Sequence, residues 1–124
     1  VGTSKQLIII NYQLPMKKLL FLCSQNKLRS PTAETIFSEY ERLEVESAGL
    51  NKDAENPLSA EMIEWADIIF VMEKSHRNKL SKNFKSFLNG KRVVCLEIPD
   101  DYEYMDSDLI KLLKNKVLPL LGTF

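Results

Sequence analysis

The stretch LLFLCSQNKLRSPTAE, residues 19–34, changes its hydrophobic period once, and this change restricts the fold more than any other feature of the chain. Leu19 to Cys23 is a continuous apolar run, the pattern of a strand buried on both faces. Beyond Ser30 the period lengthens. Ala33, Ile36, Phe37 and Tyr40 follow the i, i+3, i+4, i+7 spacing of one helix face. Ser30 is a good N-cap, and Pro31 suits the first helical position. Glu34 stands one place too late for a capping box. A buried strand therefore runs through a short polar loop into a helix.

The rest of the chain repeats this alternation. LEVESAG reads as a second strand ending at Gly49, and NPLSAEMIEWA as a helix with Pro57 near its start. DIIFVM is a third strand, and EKSHRNKLSKNFKSFL a helical segment ending by Asn89-Gly90. KRVVCLEIP is a fourth strand stopped by Pro99. DSDLIKLLKNKVLPLL makes the last helix, with Asp106 as its N-cap and Pro119 near its end. Strands alternating with helices predict an α/β fold: a four-stranded, mainly parallel sheet with helices on both faces. In such folds ligands bind at the carboxyl ends of the strands. Cys23 ends the first strand, and Asp100 and Asp101 follow the fourth, so the two groups can converge across the sequence between them.

At 124 residues the chain fits one domain, long enough for a core that needs no staple. Residues 16–124 are read as that domain. Residues 1–15, before Met16-Lys17-Lys18, are read as an upstream extension or a non-native addition, although QLIIINY within them is β-prone. Seventeen basic and seventeen acidic residues cancel, so net charge gives no reason to expect a nucleic-acid or membrane-surface partner. The charges are segregated: Lys74 to Arg92 holds seven basic and no acidic residues, and Glu97 to Asp108 holds six acidic and no basic ones. Two solvated faces account for this pattern. Two cysteines, Cys23 and Cys95, make no disulfide framework, and no metal-ligand spacing accompanies the single histidine, so no cofactor is expected. A reduced, cytoplasmic protein is the simplest expectation. MKKLLFLC imitates a secretion signal, but its apolar run is too short and no small-residue cleavage site precedes the cysteine.

The loop CSQNKLRS has a chemistry of its own. Six backbone N–H groups, from Ser24 through Gln25, Asn26, Lys27 and Leu28 to Arg29, can curl around a tetrahedral anion, and the helix that follows adds a partial positive charge. Arg29 supplies a planar fork for two phosphate oxygens. So tight a curl needs one left-handed residue. The loop has no glycine, and Asn26 is the residue best able to take that conformation. The same electropositive field favours a thiolate at Cys23, and a Ser30 hydroxyl can hydrogen-bond it. Cysteine and arginine at this spacing are common by chance. The strand before them and the Ser-Pro helix start after them favour a phosphate site.

These residues resemble the low-molecular-weight protein tyrosine phosphatase family, whose members carry C-x5-R-[ST] between the first strand and first helix. The similarity runs from about Met16 to Leu121, with VESAGL and ADIIFVMEKS in the expected order. It implies a cysteine-dependent phosphatase acting through a phosphocysteine on a phosphorylated substrate such as a phosphotyrosine protein, without metal or cofactor. It implies Cys23 as nucleophile, Arg29 and the loop amides as the oxyanion site, and Ser30 as the thiolate's partner. The family's Asp-Pro-Tyr acid motif is matched loosely by IPDDYEY: Asp100 takes the acid's place, Asp101 stands where proline is usual, and Tyr102 matches the tyrosine. Either Asp100 or Asp101 can serve as the acid, and Tyr102 and Tyr104 can form a substrate rim. The chain departs from the family in three ways. Gln25 replaces a usual glycine, Leu28 replaces a second loop cysteine, and the region between the second and third strands is short. The loop also resembles that of RNA polymerase C-terminal-domain phosphatases, which leaves an RNA-linked substrate open.

Two other functions compete. Arsenate reductases use a related loop but normally need further redox cysteines, and Cys95 alone inside RVVCLEI reads as core. A catalytically silent module could bind a phosphorylated partner through the same loop. Outside the loop, Trp65 reads as core and His76, in a basic polar helix, as a solvent-facing residue.

Overall fold

The computed structural model describes residues 16–122. The segment 1–15, read above as an extension, lies outside the described residues. The elements run β1 (Lys17–Cys23), α1 (Arg29–Phe37), β2 (Leu43–Gly49), α2 (Ala60–Trp65), β3 (Ile68–Val71), α3 (Lys74–Phe84), a 3₁₀ turn (Lys85–Phe87), β4 (Arg92–Cys95) and α4 (Ser107–Leu121). The four strands form one sheet in the order β2-β1-β3-β4, and every pairing is parallel. From β1 the chain crosses first to β2 on one side and later to β3 on the other. The sheet therefore switches direction beside β1, which opens a crevice at the carboxyl ends of β1 and β3.

The period of two along β1 decides which helices cover which face. Leu19, Phe21 and Cys23 join Phe70 of β3 in a core with Ala33, Ile36 and Phe37 of α1 and the stripe Leu109, Leu113, Val117 and Leu121 of α4. Leu20 and Leu22 join Ile69 and Val71 in a second core with Ile63 of α2 and Leu80 of α3. Both middle strands are thus covered on both sides, the reason their sequences read as unbroken apolar runs. Phe21 is the keystone of the first core. Its ring stacks on Phe37 at 5.5 Å and on Phe70 at 4.9 Å.

Four local readings are corrected by the fold. Ser30 is not the N-cap of α1: the helix already begins at Arg29, and the Ser30 hydroxyl points to Cys23. Pro31 is therefore the third helical residue rather than the first, still within the turn whose N–H groups have no helical acceptor. Pro57 stands outside α2, in an isolated bridge with Gly49, and Ser59 caps the helix by accepting the Met62 N–H. β4 ends at Cys95, well before Pro99, because Glu97 takes a positive φ of 54° and turns the chain. Asp106 does cap α4, its carboxylate accepting the N–H groups of Asp108 and Leu109.

Replacing Phe21 by alanine removes the ring that joins both stacks. It is expected to destabilise the protein by about 3–5 kcal/mol, measured as a lowered urea midpoint at unchanged slope.

Candidate active site

Cys23 is the last residue of β1 and is 4% exposed. The loop after it is fixed by its carbonyls. Leu50 N–H donates to the Cys23 carbonyl at 2.9 Å, Asn51 N–H to that of Ser24 at 3.0 Å, and Glu55 N–H to that of Gln25 at 3.2 Å. In a trans peptide the C=O and the next N–H point in opposite directions. Drawing three carbonyls towards the segment after β2 therefore turns the N–H groups of Ser24, Gln25 and Asn26 the other way. Among the described residues, none of these three amides donates to a backbone carbonyl. Asn26 has φ 59°, the left-handed residue that the glycine-free loop requires.

The segment after β2 can lie this close only because residue 49 is glycine. A Cβ there would stand 2.4 Å from the Ala54 Cβ and 2.7 Å from the Ser24 carbonyl oxygen, both too near for any side chain. In the sequence Gly49 marks only the end of a strand, and nothing local to it signals this packing.

On the other side of the loop is a cavity of about 150 Å³ lined by Cys23, Ser24, Gln25, Lys27, Leu28, Arg29 and Asp100. The Ser30 hydroxyl donates to Cys23 Sγ from within the first turn of α1. The Arg29 side chain is buried, and its Nη1 donates to Glu73 Oε2 at 2.6 Å and to the Ile98 carbonyl at 2.8 Å. These two contacts lock the guanidinium plane. Nε lies 3.6 Å from Asp100 Oδ1, whose side chain is 65% exposed. The segment carrying Asp100 is tied down at both ends, by Ile98 N–H to the Met72 carbonyl and by Met105 N–H to Thr32 Oγ1.

The other candidates are spread around this centre. Asp101 is exposed and does not line the cavity. Tyr102 packs against the α1–α4 core, and Tyr104, 49% exposed, shares a hydrogen bond with Thr35 on the outer side of α1. Neither ring lines the cavity. Gln25 reaches Asp53 at 3.5 Å and Lys27 is exposed, so the mouth is polar.

Two residues were missed by sequence reasoning. Glu73, the partner of Arg29, stands two residues beyond the end of β3; an acid near a strand end beside the switch point was the available signal. His76 was read as solvent-facing, but it is 4% exposed. The first turn of α3 lies against the loop that follows β1, with His76 Nε2 3.0 Å from Ser24 Oγ. A basic, polar helix gives no sign of which residue its N-terminus tucks inward. Burial lowers the pKa of His76 from 6.5, the Arg29 guanidinium and Lys79 add to the shift, and Glu73 and Asp100 oppose it.

The family model for low molecular weight phosphotyrosine protein phosphatase matches residues 18–66, which include the whole cysteine loop and its Gly49 support. Solved structures agree over most of the chain. A YwlE mutant from Bacillus subtilis is 22% identical, covers 86% of this chain and 99% of its own, and superposes with a TM-score of 0.66. The phosphate-bound tyrosine phosphatase Wzb from Escherichia coli K30 gives 18%, 85%, 96% and 0.67. A low molecular weight protein tyrosine phosphatase from Streptococcus pyogenes gives 16%, 86%, 92% and 0.71. No curated protein matches by sequence. Residues 18–66 are thus similar in sequence to that family, and the fold is the one these solved phosphatases share. The fold expectation is met, with all four strands parallel where the sequence required only most of them.

Two outcomes follow from this geometry. Gly49→Ala forces apart the loop and its support, with an expected cost of about 1–3 kcal/mol and weakened binding of inorganic phosphate, read by urea unfolding and calorimetry. His76 takes up a proton at higher pH in the unfolded chain than in the folded one. Its contribution to stability is complete above about pH 6.5 and is lost as pH falls below that value. His76→Asn is expected to flatten the pH dependence of the urea midpoint as pH falls below about 6.5.

Proposed function

We propose that this chain is a phosphomonoester hydrolase that acts through a phosphocysteine on Cys23, with phosphotyrosine proteins as its substrate class. The observation that carries the reading is the set of three outward carbonyl tethers. They leave amides facing a cavity that also holds a buried sulfur and a locked arginine. An oxyanion is the ligand such a surface suits.

In the first step the Cys23 sulfur attacks phosphorus. An S–P bond forms, the ester P–O bond breaks, and Asp100 gives its proton to the departing oxygen. In the second step Asp100, now a carboxylate, takes a proton from water as the water oxygen attacks phosphorus. The S–P bond breaks, inorganic phosphate forms, and the sulfur leaves as a thiolate hydrogen-bonded by Ser30. Arg29 and the amides of residues 24–29 hold the three equatorial oxygens through both steps. Asp100 is preferred to Asp101 as the acid because it shares the cavity with Cys23 and Asp101 does not.

The structural relatives include tyrosine phosphatases and an arginine phosphatase from Geobacillus stearothermophilus. Tyrosine is our choice here because Leu28 at the cavity wall offers an apolar contact to a phenyl ring. Arsenate reduction is disfavoured because Cys95 packs on the opposite face of the sheet from Cys23, with no route to a disulfide between them.

Wild-type protein is expected to hydrolyse phenyl phosphate, and Cys23→Ser to abolish turnover while retaining phosphate binding. Asp100→Asn is expected to lower kcat by about 10²–10⁴, with Asp101→Asn within a few-fold of wild type. Phosphate binding without turnover in the wild type would identify a silent binding module. Collapse in Asp101→Asn alone would transfer the acid role to that residue.

A further inference from the structure

We infer that Ser24 is a substrate-binding residue whose hydroxyl donates to a phosphoryl oxygen, and that His76 is the positioning residue that aims it. The inference rests on the phosphatase reading above and deepens it by adding a side-chain donor to the ring of backbone amides.

The argument starts from the histidine tautomer. Glu73 N–H donates to His76 Nδ1 at 3.1 Å, so Nδ1 carries the lone pair and not the proton. In the neutral ring the proton then sits on Nε2. Ser24 Oγ lies 3.0 Å from Nε2, within hydrogen-bond range, whereas Glu73 Oε2 is at 3.8 Å, beyond it. Nε2–H therefore donates to Ser24 Oγ. A hydroxyl that accepts from histidine keeps its own O–H to give elsewhere, and Ser24 lines the cavity beside Cys23 and Arg29. Accepting from Nε2–H fixes the oxygen and limits the O–H to the remaining directions. An anion in the cavity is the acceptor the surroundings favour.

The ring is held neutral for this task. It is buried, and the Arg29 guanidinium and Lys79 disfavour a second proton against the opposing pull of Glu73 and Asp100. An imidazolium would present a donor at Nδ1 to the Glu73 N–H and so break the contact that orients the ring. Helix α3 thus does two things with one side chain: Nδ1 satisfies a backbone donor at its N-terminus, and Nε2 reaches the phosphate-binding loop.

Two substitutions separate these roles. The amide oxygen of asparagine can replace Nδ1 as acceptor but leaves Ser24 without a donor. Glutamine is long enough to place an N–H near Nε2. With phenyl phosphate as substrate and inorganic phosphate as the binding probe, Ser24→Ala is expected to weaken phosphate binding and to lower kcat/KM by about tenfold, the loss of one hydrogen bond to a charged group. His76→Asn is expected to match it, and His76→Gln to recover most of the loss. The Ser24→Ala/His76→Asn double variant is expected to fall no further than Ser24→Ala alone. Wild-type affinity and kcat/KM in Ser24→Ala, or additive losses in the double variant, overturn the inference, and Ser24→Ala decides the matter even if His76→Asn fails to fold. Failure of the enzymatic reading has a different signature: the wild type binds phosphate without hydrolysing the ester, and phosphate affinity alone still tests the Ser24–His76 pair.

Discussion

Three backbone hydrogen bonds, from the N–H groups of Leu50, Asn51 and Glu55 to the carbonyls of Cys23, Ser24 and Gln25, are the constraint on which the rest of the site depends. They contribute little to a charge balance directly. Their effect comes through peptide planarity, which turns each tethered carbonyl into an amide facing the other way. The helix that follows reinforces the same polarity at its first turn. A loop of ordinary polar residues becomes a concave surface of positive dipoles because a neighbouring segment occupies its outer face. That segment can approach only where residue 49 lacks a side chain.

The charged side chains fit around this surface in a particular order. Arg29 is a buried cation, which would be costly without a partner. Glu73 and the Ile98 carbonyl supply one and hold the guanidinium plane. They come from the ends of β3 and β4, so the arginine of the first loop is aimed by the far half of the sheet. Asp100 approaches from the same direction and remains mostly exposed. His76 stays neutral between them, as a hydrogen-bonding group rather than a charge. The parallel sheet makes this convergence possible by bringing the ends of all four strands to one edge.

Much of the architecture was legible because burial leaves a mark in sequence. Leu19 to Cys23 and Ile68 to Val71 are apolar throughout because helices cover both faces. The Leu109, Leu113, Val117 and Leu121 stripe repeats every four residues because α4 offers one face to the sheet. Element ends were less legible. Ser30 looks like a helix cap and instead serves the sulfur. Pro57 looks like a helix start and instead pairs with Gly49. The strand before Pro99 stops earlier at a positive φ. In the first two cases a tertiary partner overrode a sound local preference. Around the cavity, the order of the sequence already put Cys23, Arg29 and a pair of aspartates after the fourth strand at the same end of the sheet, without choosing between Asp100 and Asp101, whereas His76 lies in a segment whose own composition suggests only a solvated helix.

The sequence by itself determined the alternation of strand and helix, the turn after β1 and the chemistry concentrated there. Those features depend on hydrophobic period and on residue type over a few positions. Only the tertiary structure decided which aspartate shares a cavity with the cysteine, which acid holds the arginine, and that a histidine meets the loop. Those are relations between chain segments far apart in sequence. They are set by strand order and close backbone packing, neither of which any short window of residues encodes.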